Sequence, residues 1–343
     1  MADKPENVAR LCWLLRVQAA TGLSALHLGL AAGALFLLPA LLNVLVVAGL
    51  QDVPSREFYQ VCVVIAINAG SFGYAAGFLA WALRSTRDDV LSMRELLRTD
   101  AAKLLNRLVA PLGRRAAMVA FVAGFLCWLV PNIIFGDLGS WLAGDTKPFN
   151  PLFAWGIPNF LALWLLLLYV AAHMVRIANT LAVIGARLVR VDLYSMHRLG
   201  AFLTVGQRLM LIAVGGISFL LVQGALLGSL QLRDWLLPVM LVLPLAVWLL
   251  VRPMWGIRNA IRAARMAELE RLDAAIGYAP ERNLAALSDP SFSALLSQRD
   301  RILAVSEWPV ARLALWRIGF YVVIPPLAWV AAALVEAAVD RLM

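Results

Sequence analysis

The sequence predicts an all-α integral membrane protein, built as a seven-transmembrane helical bundle with amphipathic cytoplasmic helices. Of the 343 residues, 62% are hydrophobic and only 15% are charged, and the mean hydropathy is +0.80. Soluble domains contain about half apolar and a quarter charged residues, so the composition places this chain in a membrane. The second observation is a series of apolar stretches, most of them near the ~20 residues that a helix needs to cross a bilayer.

The predicted spans follow one another along the chain and are separated by polar segments. In order, they cover residues 23–50, 58–83, 116–135, 157–175, 209–230, 236–251 and 318–339. The chain then divides into an N-terminal cytoplasmic or interfacial helix (1–22), a six-span bundle (23–251) with helical cytoplasmic loops (84–115 and 176–208), a cytoplasmic helical segment (252–317), and the seventh span with a short external C-terminus (318–343).

The distribution of basic residues predicts the orientation. With a cytoplasmic N-terminus, the inner segments hold 26 of the 30 Lys and Arg residues and the outer segments hold 4. Positive residues favour the cytoplasmic side, so we expect a multi-pass protein of the inner or plasma membrane whose C-terminus is external or periplasmic. The basic inner face predicts contact with anionic lipid headgroups. No Lys/Arg run with interleaved aromatic residues occurs, so no nucleic-acid partner is expected.

The long inner segments are predicted to be amphipathic helices that continue the second, fourth and sixth spans. In RDDVLSMRELLRTDAAKLLNRL, one face would carry Val90, Leu97, Leu104 and Leu108. In GIRNAIRAARMAELERLDAAI, a similar stripe would contain Ile257, Ile261, Leu269, Leu272 and Ile276. A further helix, FSALLSQRDRILAVSEW, is expected to lead into the last span.

The sequence lacks the motifs that would indicate an enzyme. It contains no HExxH, GxSxG, Walker loop or CxxC, so we expect no catalytic residue, no cofactor and no metal. His27, His173 and His197 are predicted to be structural, since none has a second histidine or a carboxylate three or four residues further on. Cys12 is predicted to be a buried thiol, with acylation as the alternative.

Two groups of residues in the spans could serve packing or a transport pathway. Asn68, Asn132 and Gln223 fit hydrogen bonds between helices, or the lining of a wet cavity. The second group forms three GxxxG patterns, which allow close approach of helices within one subunit or between subunits of a homo-oligomer. These patterns are Gly29–Gly33, Gly73–Gly77 and Gly224–Gly228.

The last span carries the sequence's clearest break. Pro325 and Pro326 remove two backbone donors, which leaves carbonyls at membrane depth that need protein or water partners. The resulting kink fits either helix packing or a conduction path. Near the outer surface, Glu336 and Asp340 form an acidic stripe, which fits a ring at a pore mouth or ordinary interfacial carboxylates.

In its topology, the chain is similar to the insect chemoreceptor-type ion channels. That similarity implies a last span that lines the pore of a tetramer and inner helices that form an anchor domain. The Tyr- and Gln-containing signature of that family is not matched at residues 321–329, so the likeness concerns architecture alone.

Two functions fit the sequence. One is an oligomeric ion channel or transport protein with the last span at the pathway. The other is a membrane scaffold or sensor whose basic cytoplasmic helical layer docks a protein partner or anionic lipid.

Overall fold

The computed structural model of the protein describes residues 12–50, 55–97, 108–134, 156–226, 232–277 and 290–308. Across these ranges the regular structure is helical, with one isolated β-bridge and no strand. The eight α-helices, numbered in chain order, are α1 (Trp13–Thr21), α2 (Ala25–Leu50), α3 (Ser55–Ser92), α4 (Arg114–Ile134), α5 (Gly156–Arg187), α6 (Gly200–Leu226), α7 (Leu232–Gly277) and α8 (Pro290–Ala304). The predicted all-α class is confirmed for this part of the chain.

Within the described residues, four helices are long and apolar enough to cross a membrane, judged by length and composition. Their apolar segments are Ala25–Leu50, Phe58–Ser92, Pro158–Arg187 and Gly200–Phe219, with mean hydropathies of 2.4, 1.7, 2.0 and 1.5. These segments correspond to the first, second, fourth and fifth predicted spans. The chain is also helical at the third and sixth, within α4 and α7, whereas the seventh lies outside the described residues. The count of seven spans is therefore not confirmed.

Three helices run on well past the predicted spans. α3, α5 and α7 contain 38, 32 and 46 residues. At 1.5 Å per residue, α7 is roughly 70 Å long, which is more than twice the ~30 Å hydrocarbon core of a bilayer. The second, fourth and sixth predicted spans therefore extend as helices, to Ser92, Arg187 and Gly277.

The prediction of one continuous helix through residues 84–108 is wrong. α3 ends at Ser92, a 3-10 turn follows at Arg94–Leu96, and Leu97 forms the isolated bridge with Val189. The N–H of Arg190 donates to the carbonyl of Leu96 at 2.7 Å, so this backbone segment pairs with the chain after α5. Of the expected stripe, Val90, Leu97 and Leu108 are buried, with Val90 on α3 and Leu97 after the 3-10 turn. Residues 98–107 lie outside the described ranges.

The fifth predicted span also begins too late. The charge of Arg208 lowers the local hydropathy, so the sequence predicts that the span starts at residue 209, yet α6 begins at Gly200. The structure explains why a charge does not end the apolar helix here. The Arg208 guanidinium lies 2.9 Å from a carboxylate oxygen of Asp89 on α3 and 4.9 Å from the ring centre of Trp81. Its charge is compensated within the protein.

The amphipathic stripe predicted for the end of α7 is present. Ile257, Ile261 and Leu272 are buried, while Arg262 and Glu270 on the opposite side are exposed. The helix predicted before the last span forms α8, although it ends at Ala304 rather than continuing to residue 308.

The helices pack into one bundle. α2 packs against α3, α3 against α5 and α6, α7 against α5, α6 and α8, α4 against α5, and α1 against α3. The main core lies where α3, α5, α6 and α7 approach their charged ends, and it includes the fully buried Leu79, Leu181, Phe202 and Ile257. By contrast, α2 is apolar along its length and many of its side chains are exposed; Leu35 is 75% exposed and Leu50 is 79% exposed. An exposed apolar face of this kind suits contact with lipid.

Candidate functional site

The structure describes few of the predicted pathway residues. Pro325, Pro326, Glu336, Asp340 and Gly228 lie outside the described residues. Asn132, Gln223 and Gly224 lie on described helices, but their side chains are outside the description. Asn68 lies on α3 and is buried, with 5% of its surface exposed. The described part of the chain therefore brings no two of these polar pathway residues together.

The first two GxxxG patterns lie against each other at the crossing of α2 and α3. A Cβ atom added to Gly29 would lie 2.7 Å from the carbonyl oxygen of Gly73, and one added to Gly77 would lie 3.0 Å from that of Ala25. A Cβ atom on Gly33 would lie 3.0 Å from the carbonyl oxygen of Ala69. The two backbones thus touch, and both patterns are used within a single chain.

A buried polar cluster joins α1 to α5. The Cys12 sulfur lies 3.2 Å from the Tyr169 hydroxyl and 3.8 Å from Nε2 of His173. Nδ1 of His173 lies 3.2 Å from a guanidinium nitrogen of Arg176. Arginine only donates, so Nδ1 accepts and the imidazole proton resides on Nε2, facing the sulfur.

This cluster connects the start of α1 to α5 through side-chain contacts. Arg176 also donates to the carbonyl oxygens of Leu108, Ala110 and Pro111, and so holds the start of the α4 segment. Cys12 has no exposed surface, as the buried-thiol interpretation predicted.

Sequence reasoning missed this cluster, although it correctly predicted that His173 is structural. His173 and Cys12 are 161 residues apart in the chain, so no local spacing could connect them. The one available signal was Arg176, three residues after His173 and on the same face of α5.

His27 is structural as well, because its Nδ1 lies 2.7 Å from the hydroxyl of Ser24, which caps α2. The His197 side chain is outside the description.

We call residues 84–97, 187–208, 252–277 and 290–308 the charged layer, since the ion pairs of the described residues lie there. Several ion pairs tie its elements together. They are Asp89–Arg208 (2.9 Å), Glu95–Arg198 (2.8 Å), Arg258–Glu307 (3.1 Å) and Asp273–Arg299 (2.7 Å). The Arg258 guanidinium also lies 4.8 Å from the ring centre of Trp308, which fixes the end of the described chain to α7.

The loop between α5 and α6 is ordered by one aspartate. The Ser195 hydroxyl donates to Asp192 at 2.6 Å and the Tyr194 N–H donates at 3.0 Å, and these bonds lower the pKa of the Asp192 carboxyl. The neighbouring Tyr194 hydroxyl accepts a bond from Gln298 of α8 at 2.9 Å. The loop, α7 and α8 therefore form one connected surface.

Two cavities border α3, one beside the charged layer and one along the apolar part of the bundle. The first, which we call the basic cavity, has a volume of about 290 Å³ and is lined by Gln18, Gly22, Leu23, Arg84 and Arg87, among others. The second, the α2–α3 groove, has a volume of about 740 Å³ and runs beside the glycine crossing. Its lining is almost entirely apolar.

Comparison with protein-family models, with curated proteins and with solved structures finds no match to this chain. In the described ranges, no group of three or more His, Cys, Asp and Glu side chains could hold a metal ion. The function must therefore be argued from the geometry of the chain itself.

Proposed function

We propose that the protein is a multi-pass membrane scaffold or sensor whose basic helical layer binds anionic lipid at the cytoplasmic surface. The observation that carries this proposal is the continuity of α3 and α7, two helices that extend from apolar sequence into the charged layer. A layer built on rigid helix extensions keeps a fixed position relative to the bilayer.

Contacts between the elements support this rigidity. Asp89 and Arg208 connect α3 to α6, and Arg252 of α7 donates to Asn179 of α5 at 2.9 Å. Arg265 of α7 donates to the carbonyl of Leu303 at 2.8 Å, which holds α8 in place. With 26 of 30 basic residues on the predicted inner side, this layer would face the negative leaflet of the membrane.

The channel function remains a prediction, since its residues in the last span lie outside the described part of the chain. A single preparation distinguishes the two functions. Purified full-length protein is reconstituted into vesicles of phosphatidylcholine alone or mixed with phosphatidylglycerol, and both ion flux and thermal unfolding are measured.

A scaffold that binds anionic lipid should unfold at a higher temperature in the mixed vesicles, because a ligand that binds only the folded state stabilises it. High salt should reduce this gain, because salt screens exposed charges. Neither vesicle should pass ions. Ion flux that Glu336→Gln alters would instead support the channel, and equal unfolding temperatures in both lipids would contradict the proposed lipid binding.

A further inference from the structure

One buried amide in the basic cavity has no partner. Gln18 is 7% exposed, and its Nε2 atom is fully buried without a hydrogen bond in the described structure. Gln18 lies in the last turn of α1, which ends at Thr21. The N–H of Gly22, at a positive φ of 68°, donates to the Gln18 carbonyl at 2.9 Å. A buried donor without an acceptor is unfavourable, so a group that enters the cavity and supplies an acceptor would be stabilised there.

The other polar groups of this cavity are cationic. Arg84 and Arg87 of α3 line it together with Gln18, and the described lining contains no carboxylate. The Arg84 guanidinium and the Gln18 amide N–H₂ offer only donors on their nitrogens, which suits the oxygens of a phosphate group. The volume of about 290 Å³ leaves room for a phosphate with a small headgroup.

The basic cavity adjoins the α2–α3 groove along both helices. On α3, Trp81 lines the groove and Arg84 lines the cavity one turn later. On the other side, Leu23 lines the cavity and Ala25, two residues on, lines the groove. The groove extends along α3 from Ala66 to Trp81, roughly 22 Å at 1.5 Å per residue, which covers about one leaflet.

We propose that these two cavities form one binding site for an anionic phospholipid, with its phosphate in the basic cavity and an acyl chain in the α2–α3 groove. The charge of the cavity, its unpartnered donor and the apolar groove beside it favour a lipid over a free anion. This inference rests on the proposed function and specifies where the lipid binds.

The site is tested by titrating purified protein in detergent with phosphatidylglycerol and measuring bound lipid by native mass spectrometry. Arg84→Gln and Gln18→Leu should each weaken binding by about tenfold, since each removes a hydrogen bond to a charged group. The matched control is Arg115→Gln on α4, an exposed residue outside the charged layer that lines neither cavity. It should bind like the wild type.

Gln18→Leu also separates binding from folding. Removing an unpartnered buried amide should leave the unfolding temperature without lipid unchanged or higher, while lipid binding falls. Ala34, an exposed residue that lines the groove, provides the second arm. Ala34→Trp should obstruct the groove and weaken binding of long-chain phosphatidylglycerol, with little effect on a short-chain form.

The contrary outcomes differ for the site and for the proposed function. Wild-type affinity in both Arg84→Gln and Gln18→Leu would overturn the site, even if anionic lipid still stabilises the protein elsewhere. If inorganic phosphate binds as tightly as the lipid and Ala34→Trp has no effect, the site binds anions and the proposal that its ligand is a lipid is overturned. Equal binding of phosphatidylcholine and phosphatidylglycerol by the wild type would overturn both proposals.

Discussion

Because Gly29 and Gly73 have no side chains, the backbones of α2 and α3 approach more closely than a side chain at either position would allow. A Cβ atom on Gly73 would lie 2.6 Å from the carbonyl oxygen of Gly29, and one on Gly29 would lie 2.7 Å from that of Gly73. The atoms that would be struck belong to the backbone, so no rotamer change can relieve the contact. The glycines therefore determine the geometry of the α2–α3 pair, and with it the shape of the groove beside it.

At the residue scale, Gly29→Ala should destabilise the protein. Overpacking of a close contact typically costs about 1–3 kcal/mol, and we expect a clear fall in the unfolding temperature in detergent. Gly49→Ala is the control on the same helix, because nothing lies within 4 Å of the position where its Cβ would stand. Equal unfolding temperatures for the two variants would show that α2 and α3 do not touch at Gly29.

Single residues show how far sequence reasoning reaches. Spacing predicts that Gly29–Gly33 and Gly73–Gly77 allow close packing, but it does not say that they pack on each other. The partners of Cys12 and the unpartnered state of Gln18 depend on helices far apart in the chain. Such contacts follow from the tertiary fold and leave no periodic signal.

At the scale of elements, the continuity of α7 was predictable, whereas the end of α3 and the start of α6 were not. The apolar stripe through Ile257 and Ile261 has the period of a helix, and α7 follows it. At Ser92 the same period continues, yet the chain leaves the helix because Leu96 and Leu97 pair with residues after α5. At the start of α6, a long-range partner compensates the charge of Arg208, which hydropathy alone counts as a break.

The pair that compensates Arg208 gives a prediction for the contact of α3 with α6. The Arg208 and Asp89 side chains are 10% and 25% exposed. Arg208→Met should lower the free energy of unfolding by about 2 kcal/mol, because it leaves the Asp89 carboxylate partly buried and unpaired. In a double-mutant cycle with Asp89→Asn, the combined loss should be smaller than the sum of the single losses.

A more exposed pair in the same layer is the control for this cycle. Arg198 and Glu95 have side chains that are 44% and 68% exposed. Exposed pairs contribute about 0–1 kcal/mol, so Arg198→Met should change stability little. Strict additivity of the Asp89 and Arg208 variants in chemical unfolding would mean that the two helices are held together without this ion pair.

At the scale of the whole molecule, composition predicted helices able to cross a membrane, which the described residues contain, but it did not give the number of spans. Four helices meet the length and hydropathy of a span. The third and sixth predicted spans are helical, but α7 combines a short apolar segment with a long charged one, and a local average cannot show where such a helix enters the bilayer. A homo-oligomer also stays a prediction, since the first two GxxxG patterns are already occupied within one chain.

The orientation of the whole molecule can be tested independently of any function. Cys12, Cys62 and Cys127 are first replaced, and single cysteines are introduced at Asp145, between the predicted third and fourth spans, and at Glu270, an exposed position on α7. If the 26 basic residues of the inner segments lie in the cytoplasm, a membrane-impermeant maleimide added to intact cells should label position 145. Position 270 should react only after the membrane is opened.

Labelling of 270 in intact cells would place the charged layer outside and would remove the basis for its contact with the cytoplasmic leaflet. Labelling of both positions from the same side would show that the number of spans between them is even, rather than the three that the sequence predicts.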